Sequence, residues 1–207
     1  MRPIDLETWP RTPVYRFFSG MSNPFYSVTF TLDVTRLLAY VRAEGLSFYY
    51  ALVGLCTQAV NEVENFRYAV REGRVVLLDR RSPSFTDLRQ GSDQFYIVTM
   101  PMEGGLADFC REARRRSRAQ EGFCAAEEET DELIYFSCLP WVALTALTNE
   151  RDFDPDDNIP RIAWGKYTQQ GDRVTLGLSV EVNHRFVDGV HIGRFAQALE
   201  RRIASLS

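Results

Sequence analysis

The chain has 207 residues, of which 45% are hydrophobic and 25% are charged, a balance that is ordinary for a globular protein. A formal net charge of −4 argues against a nucleic-acid-binding protein, because a phosphate backbone is bound by clustered Lys and Arg. No apolar run reaches the ~20 residues that a membrane-spanning helix needs, and the polar N-terminus is unlike a signal peptide. We therefore expect one cytoplasmic domain over residues 1–207 that binds neither nucleic acid nor membrane.

The first half of the chain predicts elements of both kinds. Residues 27–34 alternate apolar and polar side chains, which predicts a strand. A short amphipathic helix follows, and Ser47 is placed to cap a second helix whose apolar residues nearly surround it. Residues 66–79 predict a hairpin that turns at Glu72 and Gly73.

The second half continues the same mixture. It predicts a strand at 95–100, a helix at 105–120, a strand at 133–145 that Pro140 interrupts, a hairpin at 159–184 and a closing helix from 189. Because strands and helices are intermixed with several hairpins, we predict an α/β fold of the α+β kind, a mixed sheet covered by helices. A regular parallel doubly wound sheet is disfavoured.

Four cysteines and one basic run need an interpretation of their own. The cysteines at 56, 110, 124 and 138 lack the paired spacing of metal sites, so we expect free thiols and no metal. The basic run at 111–120 is followed by an acidic run at 127–132, which favours the solvated face of a helix over a polyanion site.

Both histidines of the chain lie in the stretch SVEVNHRFVDGVHIGRF at 179–195. His184 follows a strand and precedes a helix, where a side chain is rigidly held and still reaches a cleft, and a neutral imidazole is the best general base at pH 7. His191 lies inside the predicted helix, so a packed helix histidine is favoured there. Asp188 has two explanations, a helix N-cap or a buried ion pair that fixes the turn around His184.

The motif NHRFVDG resembles the H-H-x-x-x-D-G signature of the chloramphenicol acetyltransferase family, and also the D-H-R-x-x-D-G signature of the related dihydrolipoamide acyltransferase catalytic domains. Four further segments resemble chloramphenicol acetyltransferases and occur in the family's order: WPRTPVYRFF, SFTDLRQGSDQF, FSCLPWV and GKYTQQGDRVTLGLSVEVNH. The resemblance runs from about residue 9 to residue 200. It implies a two-layer sandwich of the CoA-dependent acyltransferase kind.

The resemblance also implies a reaction and its catalytic residues. The family transfers an acetyl group from acetyl-CoA to a hydroxyl without an acyl-enzyme intermediate, so His184 is expected to take the proton of the acceptor hydroxyl. Ser137 matches the family serine whose hydroxyl donates to the oxyanion, a contribution of roughly 3 kcal/mol for one preorganised donor. Arg11 and Asp188 match a pair that forms a structural salt bridge beside the base. Cys138 follows Ser137 directly and, if it lies near the coenzyme channel, would make the enzyme sensitive to thiol reagents.

The remaining implied residues bind the two substrates. The acceptor alcohol is expected against Phe18, Phe95, Tyr96 and Leu147, with Phe95 and Tyr96 as an aromatic wall. Coenzyme-binding positions are Trp141, Lys166 and Tyr167. The family is a homotrimer whose sites lie between subunits, so His184 is expected to act on an acceptor held largely by a neighbouring subunit.

The chain departs from the family at several positions. Asn183 stands where the family usually has a second histidine, and Ala163 stands where it has a threonine that holds a water. The acceptor side also differs, with Phe18 in place of a tyrosine. Three hypotheses follow: chloramphenicol O-acetyltransferase with a role in antibiotic resistance, an acetyltransferase for another hydroxylated small molecule, or a trimeric binding protein without turnover.

Overall fold

The computed structural model describes residues 1–89, 91–125, 129–151, 154 and 156–207. Its helices are α1 (Thr12–Ser19), α2 (Thr35–Ala43), α3 (Phe48–Glu62), α4 (Leu106–Ala119) and α5 (Gly189–Ala204). Its strands are β1 (Arg2–Pro3), β2 (Phe25–Asp33), β3 (Tyr68–Arg71), β4 (Arg74–Leu77), β5 (Ser82–Leu88), β6 (Phe95–Thr99), β7 (Leu133–Leu139), β8 (Arg161–Gly165), β9 (Thr168–Gln170) and β10 (Arg173–Asn183).

The large sheet is mixed, as predicted. Its strand order is β2-β10-β8-β7-β5-β6, and β9 also pairs with β10. The β5–β7 and β7–β8 pairs are parallel, and the other pairs are antiparallel. A small antiparallel sheet, β1-β4-β3, stands beside it. The expectation of a mixed sheet covered by helices is therefore confirmed.

Helix α3 is the centre of the apolar core. It contacts α4, α5, β5 and β7, and its residues from Tyr50 to Thr57 are buried on every side. Its less buried polar residues, Gln58, Asn61 and Glu62, lie in the last two turns. Full burial of a side chain such as Leu52, or of Phe195 on α5, stabilises the fold by roughly 1.5–3 kcal/mol. Ser47 caps α3 as predicted, since its hydroxyl accepts the N–H of Tyr50.

Glycines are required where the chain turns or crosses itself. Glu72 and Gly73 both have positive φ, 51° and 71°, and they form the predicted turn between β3 and β4. Gly165 and Gly177 lie under the segment that follows β7. A Cβ at Gly165 would stand 2.6 Å from the carbonyl oxygen of Val142, and one at Gly177 would collide with that of Leu144. This crossing fixes the path of the chain over β8 and β10.

The structure adds or changes several elements. Helix α1 and strand β5 were not predicted. Strand β7 ends at Leu139, directly before Pro140, so the predicted strand at 133–145 is shorter than expected. The first arm of the predicted hairpin is broken into β8 and β9 at Lys166 and Tyr167.

Candidate active site

His184 lies directly after the last residue of β10 and is held from several sides. Its backbone N–H donates to the carbonyl of Pro24 at 2.8 Å. Its imidazole stacks on the ring of Phe18, with centroids 4.0 Å apart, and meets the ring of Tyr26 at 4.5 Å. The Tyr26 hydroxyl in turn donates to the carbonyl of Val187 at 3.2 Å. Phe18 was predicted in this neighbourhood through the acceptor pocket, whereas the contribution of Tyr26 was missed.

Arg11 clamps the turn that carries His184. Its guanidinium meets both carboxylate oxygens of Asp188, at 2.7 and 2.6 Å. It also donates to the carbonyls of His184, at 2.9 Å, and Arg185, at 2.7 Å. Asp188 is at the same time the N-cap residue of α5, and its ion pair with Arg11 is only partly buried, since the Asp188 side chain is 33% exposed. The clamp ties α1 to the turn across more than 170 positions of sequence.

Asn183 and His191 fix the two ends of the same turn. Asn183 accepts the backbone N–H of Arg185 at 3.0 Å and donates to the carbonyl of Asp157 at 2.9 Å. His191 is buried in α5, and its Nδ1 accepts the N–H of Asp188 at 2.8 Å. The arrangement at His191 is therefore that of a packed helix histidine.

The electrostatics of the turn keep His184 neutral at pH 7. Partial burial lowers the pKa of His184 below its ordinary value, and the nearby Asp188 carboxylate opposes that shift. The distance from Nε2 of His184 to Oδ1 of Asp188 is 3.5 Å. Hydrogen bonds from Arg11 lower the pKa of Asp188, so the carboxylate is ionised. A neutral imidazole beside a fixed negative charge is suited to accept a proton, because the imidazolium that forms is stabilised.

Ser137 lies away from the turn that carries His184, at a cavity of about 930 Å³ beside β7. Tyr135 and Ser137 alternate with Phe136 along the strand and share a face. Phe95 and Trp141 also line the cavity, and they are 48% and 71% exposed. An aromatic lining beside a serine hydroxyl is suited to hold an organic substrate with its polar atoms directed to the strand.

Cys138 follows Ser137, is among the residues that line the same cavity, and packs partly buried against the apolar core. Burial raises the pKa of its thiol to about 12. The structure contains four free cysteines, of which Cys56 and Cys110 are buried and Cys124 is exposed.

Of the residues predicted for the acceptor, the structure brings only some together. Phe95 lines the Ser137 cavity, but Tyr96 is buried on the opposite side of β6, where its hydroxyl meets that of Ser117 at 2.8 Å. Leu147 is half-buried in the segment between β7 and β8. Phe18 lies with His184. Phe95 and Tyr96 therefore do not form one continuous wall.

The residues predicted for the coenzyme lie close to one another along the chain crossing. The backbone N–H of Lys166 donates to the carbonyl of Val142, at 2.7 Å, which brings it next to the segment that begins with Trp141. Tyr167 packs on the ring of Phe48 at the first residue of α3, with centroids 5.5 Å apart. Both Lys166 and Tyr167 are exposed.

His184 and Ser137 are far apart within one chain. Ser137 is in register with Ala163 of β8, and Ala163 with Ser179 of β10. Two strand spacings and the five residues from Ser179 to His184 place the two side chains roughly 19 Å apart. A single substrate atom cannot contact both of them in one subunit.

Within residues 1–89, 91–125, 129–151, 154 and 156–207, no three His, Cys, Asp or Glu side chains are grouped so that they could hold a metal ion. No helix in the described part of the chain has the length and apolar character to cross a bilayer.

Comparison with known proteins identifies the family. The sequence profile of the family described as chloramphenicol acetyltransferase matches residues 1–200. Chloramphenicol acetyltransferase 3 of Escherichia coli is 28% identical over 201 residues, which cover 95% of this chain and 94% of that protein. The chloramphenicol acetyltransferase of Clostridium perfringens is 29% identical over 196 residues, covering 93% and 90%.

Solved structures agree with the sequence comparisons. A chloramphenicol acetyltransferase structure superposes with a TM-score of 0.91 at 27% identity, covering 98% of this chain and all of that one. The dihydrolipoamide acetyltransferase of Azotobacter vinelandii shares the fold, with a TM-score of 0.70 at 18% identity over 93% and 86% of the two chains. The chain belongs to the chloramphenicol acetyltransferase family.

Proposed function

We propose that the protein is an acetyl-CoA-dependent O-acetyltransferase whose acceptor is chloramphenicol. The observation that carries the proposal is the neutral, clamped imidazole of His184 in a chain that matches the family over residues 1–200. Acetylation of the antibiotic in the cytoplasm, where acetyl-CoA is made and used, would protect the cell that expresses the protein.

The reaction follows from the two polar groups. His184 takes the proton of the acceptor hydroxyl, and the oxygen attacks the thioester carbonyl of acetyl-CoA. The carbonyl oxygen becomes an oxyanion, to which the Ser137 hydroxyl donates. Collapse of the tetrahedral intermediate breaks the carbon–sulfur bond, and the imidazolium returns the proton to the sulfur. The products are the acetyl ester and CoA, with no covalent bond to the enzyme.

For His184 and Ser137 to act on the same reaction centre, more than one subunit is required. Because His184 and Ser137 are roughly 19 Å apart along the sheet, the two act together only if they come from different subunits. We propose a homotrimer in which one subunit supplies Ser137, Phe95 and Trp141 and its neighbour supplies His184 and Phe18. Head-to-tail interfaces of this kind close into a ring.

Mixed trimers test this arrangement. His184→Ala and Ser137→Ala subunits are each expected to be nearly inactive alone. When the two are unfolded together and refolded as a mixture, about a quarter of the interfaces should combine an intact His184 with an intact Ser137, and activity should return in proportion. Activity that does not return, although trimers form, would place both residues in one subunit and contradict the proposal.

The acetyl-CoA thiol end is proposed to enter the cavity that Ser137 lines. Trp141 offers an exposed aromatic surface at that cavity, and Lys166 and Tyr167 lie along the adjoining chain crossing. We assign these three residues to coenzyme binding, with Lys166 as a cation for phosphate and Tyr167 as a stacking surface.

A second acceptor class is favoured by one contact in the same cavity. The hydroxyl of Tyr135 donates to a carboxylate oxygen of Glu129 at 2.9 Å, and Glu150 also lines the cavity. Carboxylates at this wall suit a hydroxylated acceptor that carries an amine. The relevant comparison is chloramphenicol against its deacylated amine, which has the same hydroxyls and a cationic group. A higher kcat/KM for the amine that falls in Glu129→Gln would favour the second class.

The cellular test is protection of a chloramphenicol-sensitive host. Expression of the wild-type chain should permit growth on chloramphenicol, and expression of His184→Ala at the same level should not. Equal growth of the two strains, or growth of neither, would contradict the proposed acceptor.

A further inference from the structure

The basic face of α4 is only partly neutralised by the helix itself. Arg111 pairs with Asp108 at 2.8 Å. Arg115 and Arg116 share the carboxylate of Glu112 at 2.7 and 2.9 Å. These three arginines therefore fit the expected solvated helix face, on which exposed pairs contribute little to stability.

Arg114 and Arg118, in contrast, do not pair with a carboxylate on α4. They lie one helical turn apart on α4, and together with Arg89 they line a second cavity of about 760 Å³. In the described ranges, no hydrogen bond or ion pair engages the guanidinium groups of Arg114 and Arg118. Arg89 donates to the carbonyl of Glu121 and lies over the ring of Tyr96, 5.3 Å from its centroid. Three arginine side chains thus line one cavity, Arg114 and Arg118 from the exposed face of α4.

The floor of this cavity is polar, and the carboxylate of Asp87 in it already accepts hydrogen bonds from neighbouring side chains. The carboxylate of Asp87 accepts from the hydroxyl of Tyr50, at 2.5 Å, and from that of Ser117, at 2.7 Å. The Ser117 hydroxyl also meets that of Tyr96. The donors of the floor hold Asp87, and no ion pair joins it to Arg89, Arg114 or Arg118 in the part of the chain that the structure describes. The positive charge of the three arginines that line the cavity is therefore not neutralised by its floor.

The arginine cavity adjoins the Ser137 cavity. Ser47, Tyr50, Asp87 and Leu88 line both of them. Ser47 is the N-cap of α3, and the next residue, Phe48, carries Tyr167 on its ring. The arginine cavity is therefore connected to the proposed site of the thioester and lies beside the end of α3 where Tyr167 packs.

We propose that Arg89, Arg114 and Arg118 bind phosphate groups of the acyl-CoA substrate. This inference rests on the proposed function, because it takes acyl-CoA as the ligand of the adjoining cavity. CoA carries several phosphate charges at neutral pH, and arginine guanidinium groups bind phosphate through two parallel hydrogen bonds. The assignment gives the two arginines of α4 without local partners a role that the other three do not share.

Calorimetric titration of the double variant Arg114→Gln and Arg118→Gln tests the proposal. CoA and pantetheine are the two probes, since pantetheine has the thiol arm without phosphates. The variant should bind CoA roughly 10- to 100-fold more weakly, as expected for loss of two charge-assisted contacts, with the Kd for pantetheine unchanged. The matched control is Arg111→Gln with Arg115→Gln on the same helix, which removes the same charge from residues with local partners.

The binding measurements test the phosphate site independently of whether the protein acetylates an acceptor. Equal weakening of CoA binding in both double variants would mean that only the total charge of the helix matters, and it would overturn the inference. Weakened binding of inorganic phosphate with an unchanged Kd for CoA would also overturn it, because the cavity would then hold a free anion. Selective loss of CoA affinity in a protein that acetylates no tested acceptor would uphold the inference while the proposed function fails.

Discussion

Replacing Arg11 with lysine tests the clamp that holds His184. Arg11→Lys keeps the positive charge but can no longer make all four hydrogen bonds of the guanidinium, to Asp188 twice and to the carbonyls of His184 and Arg185. If the ammonium keeps one of the four, its bond to Asp188, the loss of the other three at about 1 kcal/mol each would destabilise the fold by about 3 kcal/mol. Because the Asp188 side chain is 33% exposed, water replaces part of the loss, and we expect about 2 kcal/mol.

The expected loss corresponds to a fall in Tm of roughly 4–8 °C for a chain of this length. Thermal unfolding followed by circular dichroism measures it, at one fixed protein concentration because an oligomer's Tm depends on concentration. The turn should also shift enough to lower kcat/KM by roughly 10- to 100-fold.

Arg16→Lys is the matched control for this variant. Arg16 lies on α1, which begins directly after Arg11, and it pairs with Glu7; both side chains are exposed, at 63% and 82%. This pair should contribute less than about 1 kcal/mol. If Arg11→Lys unfolds at the same temperature as Arg16→Lys and keeps full activity, the clamp does not hold the turn and the reasoning fails.

Further predictions concern the pKa of His184, the chain crossing at Gly177 and the reactivity of Cys138. The kcat/KM for the acceptor should rise with pH as His184 loses its proton, with a midpoint below 6.5 because burial lowers its pKa. Asp188→Asn should lower that midpoint further, since the carboxylate raises the pKa of His184, and a midpoint that moves upward would contradict the assignment. Gly177→Ala should destabilise the fold by about 1–3 kcal/mol in thermal unfolding, because its Cβ would collide with a carbonyl oxygen of the crossing segment. Gly193→Ala, with nothing within 4 Å, should not lower Tm, and equal losses in the two variants would refute the crossing as the cause. Cys138 should react with a thiol reagent far more slowly in the native protein than in urea, because burial raises its pKa to about 12. Rapid native reaction at Cys138, located by mass spectrometry, would overturn this expectation.

Local chemistry made part of the fold predictable. The cap at Ser47 and the turn at Glu72 and Gly73 depend on residues within four positions of each other, and both were predicted. Helix α1 was missed although Pro13 in its first turn is a helix-start signal, because the helix has only eight residues and is stabilised through Arg11 by a turn that is distant in sequence.

Site residues that depend on contacts between distant parts of the chain could not be predicted from the sequence. Tyr26 reaches His184 only because β2 pairs with β10, a register that no local pattern encodes. Outside the site, Arg81 also owes its position to long-range contacts. It is 1% exposed and donates to the carbonyls of Phe66 and Tyr68 and to that of the distant Leu133.

The separation of Phe95 from Tyr96, by contrast, follows from a simple rule. Neighbouring residues of a strand point to opposite faces, so two adjacent aromatic residues of β6 cannot line one wall. The resemblance to the family suggested both positions without regard to this alternation. Strand periodicity applied at this point would have assigned only one of them to the cavity.

The central claim is that His184 activates an acceptor hydroxyl for attack on acetyl-CoA. The most direct test is release of free thiol from acetyl-CoA by the purified protein, with and without chloramphenicol, beside the His184→Ala variant. We expect fast release that requires both chloramphenicol and His184. Release that continues at the wild-type rate in His184→Ala, or that does not depend on the acceptor, would contradict the account.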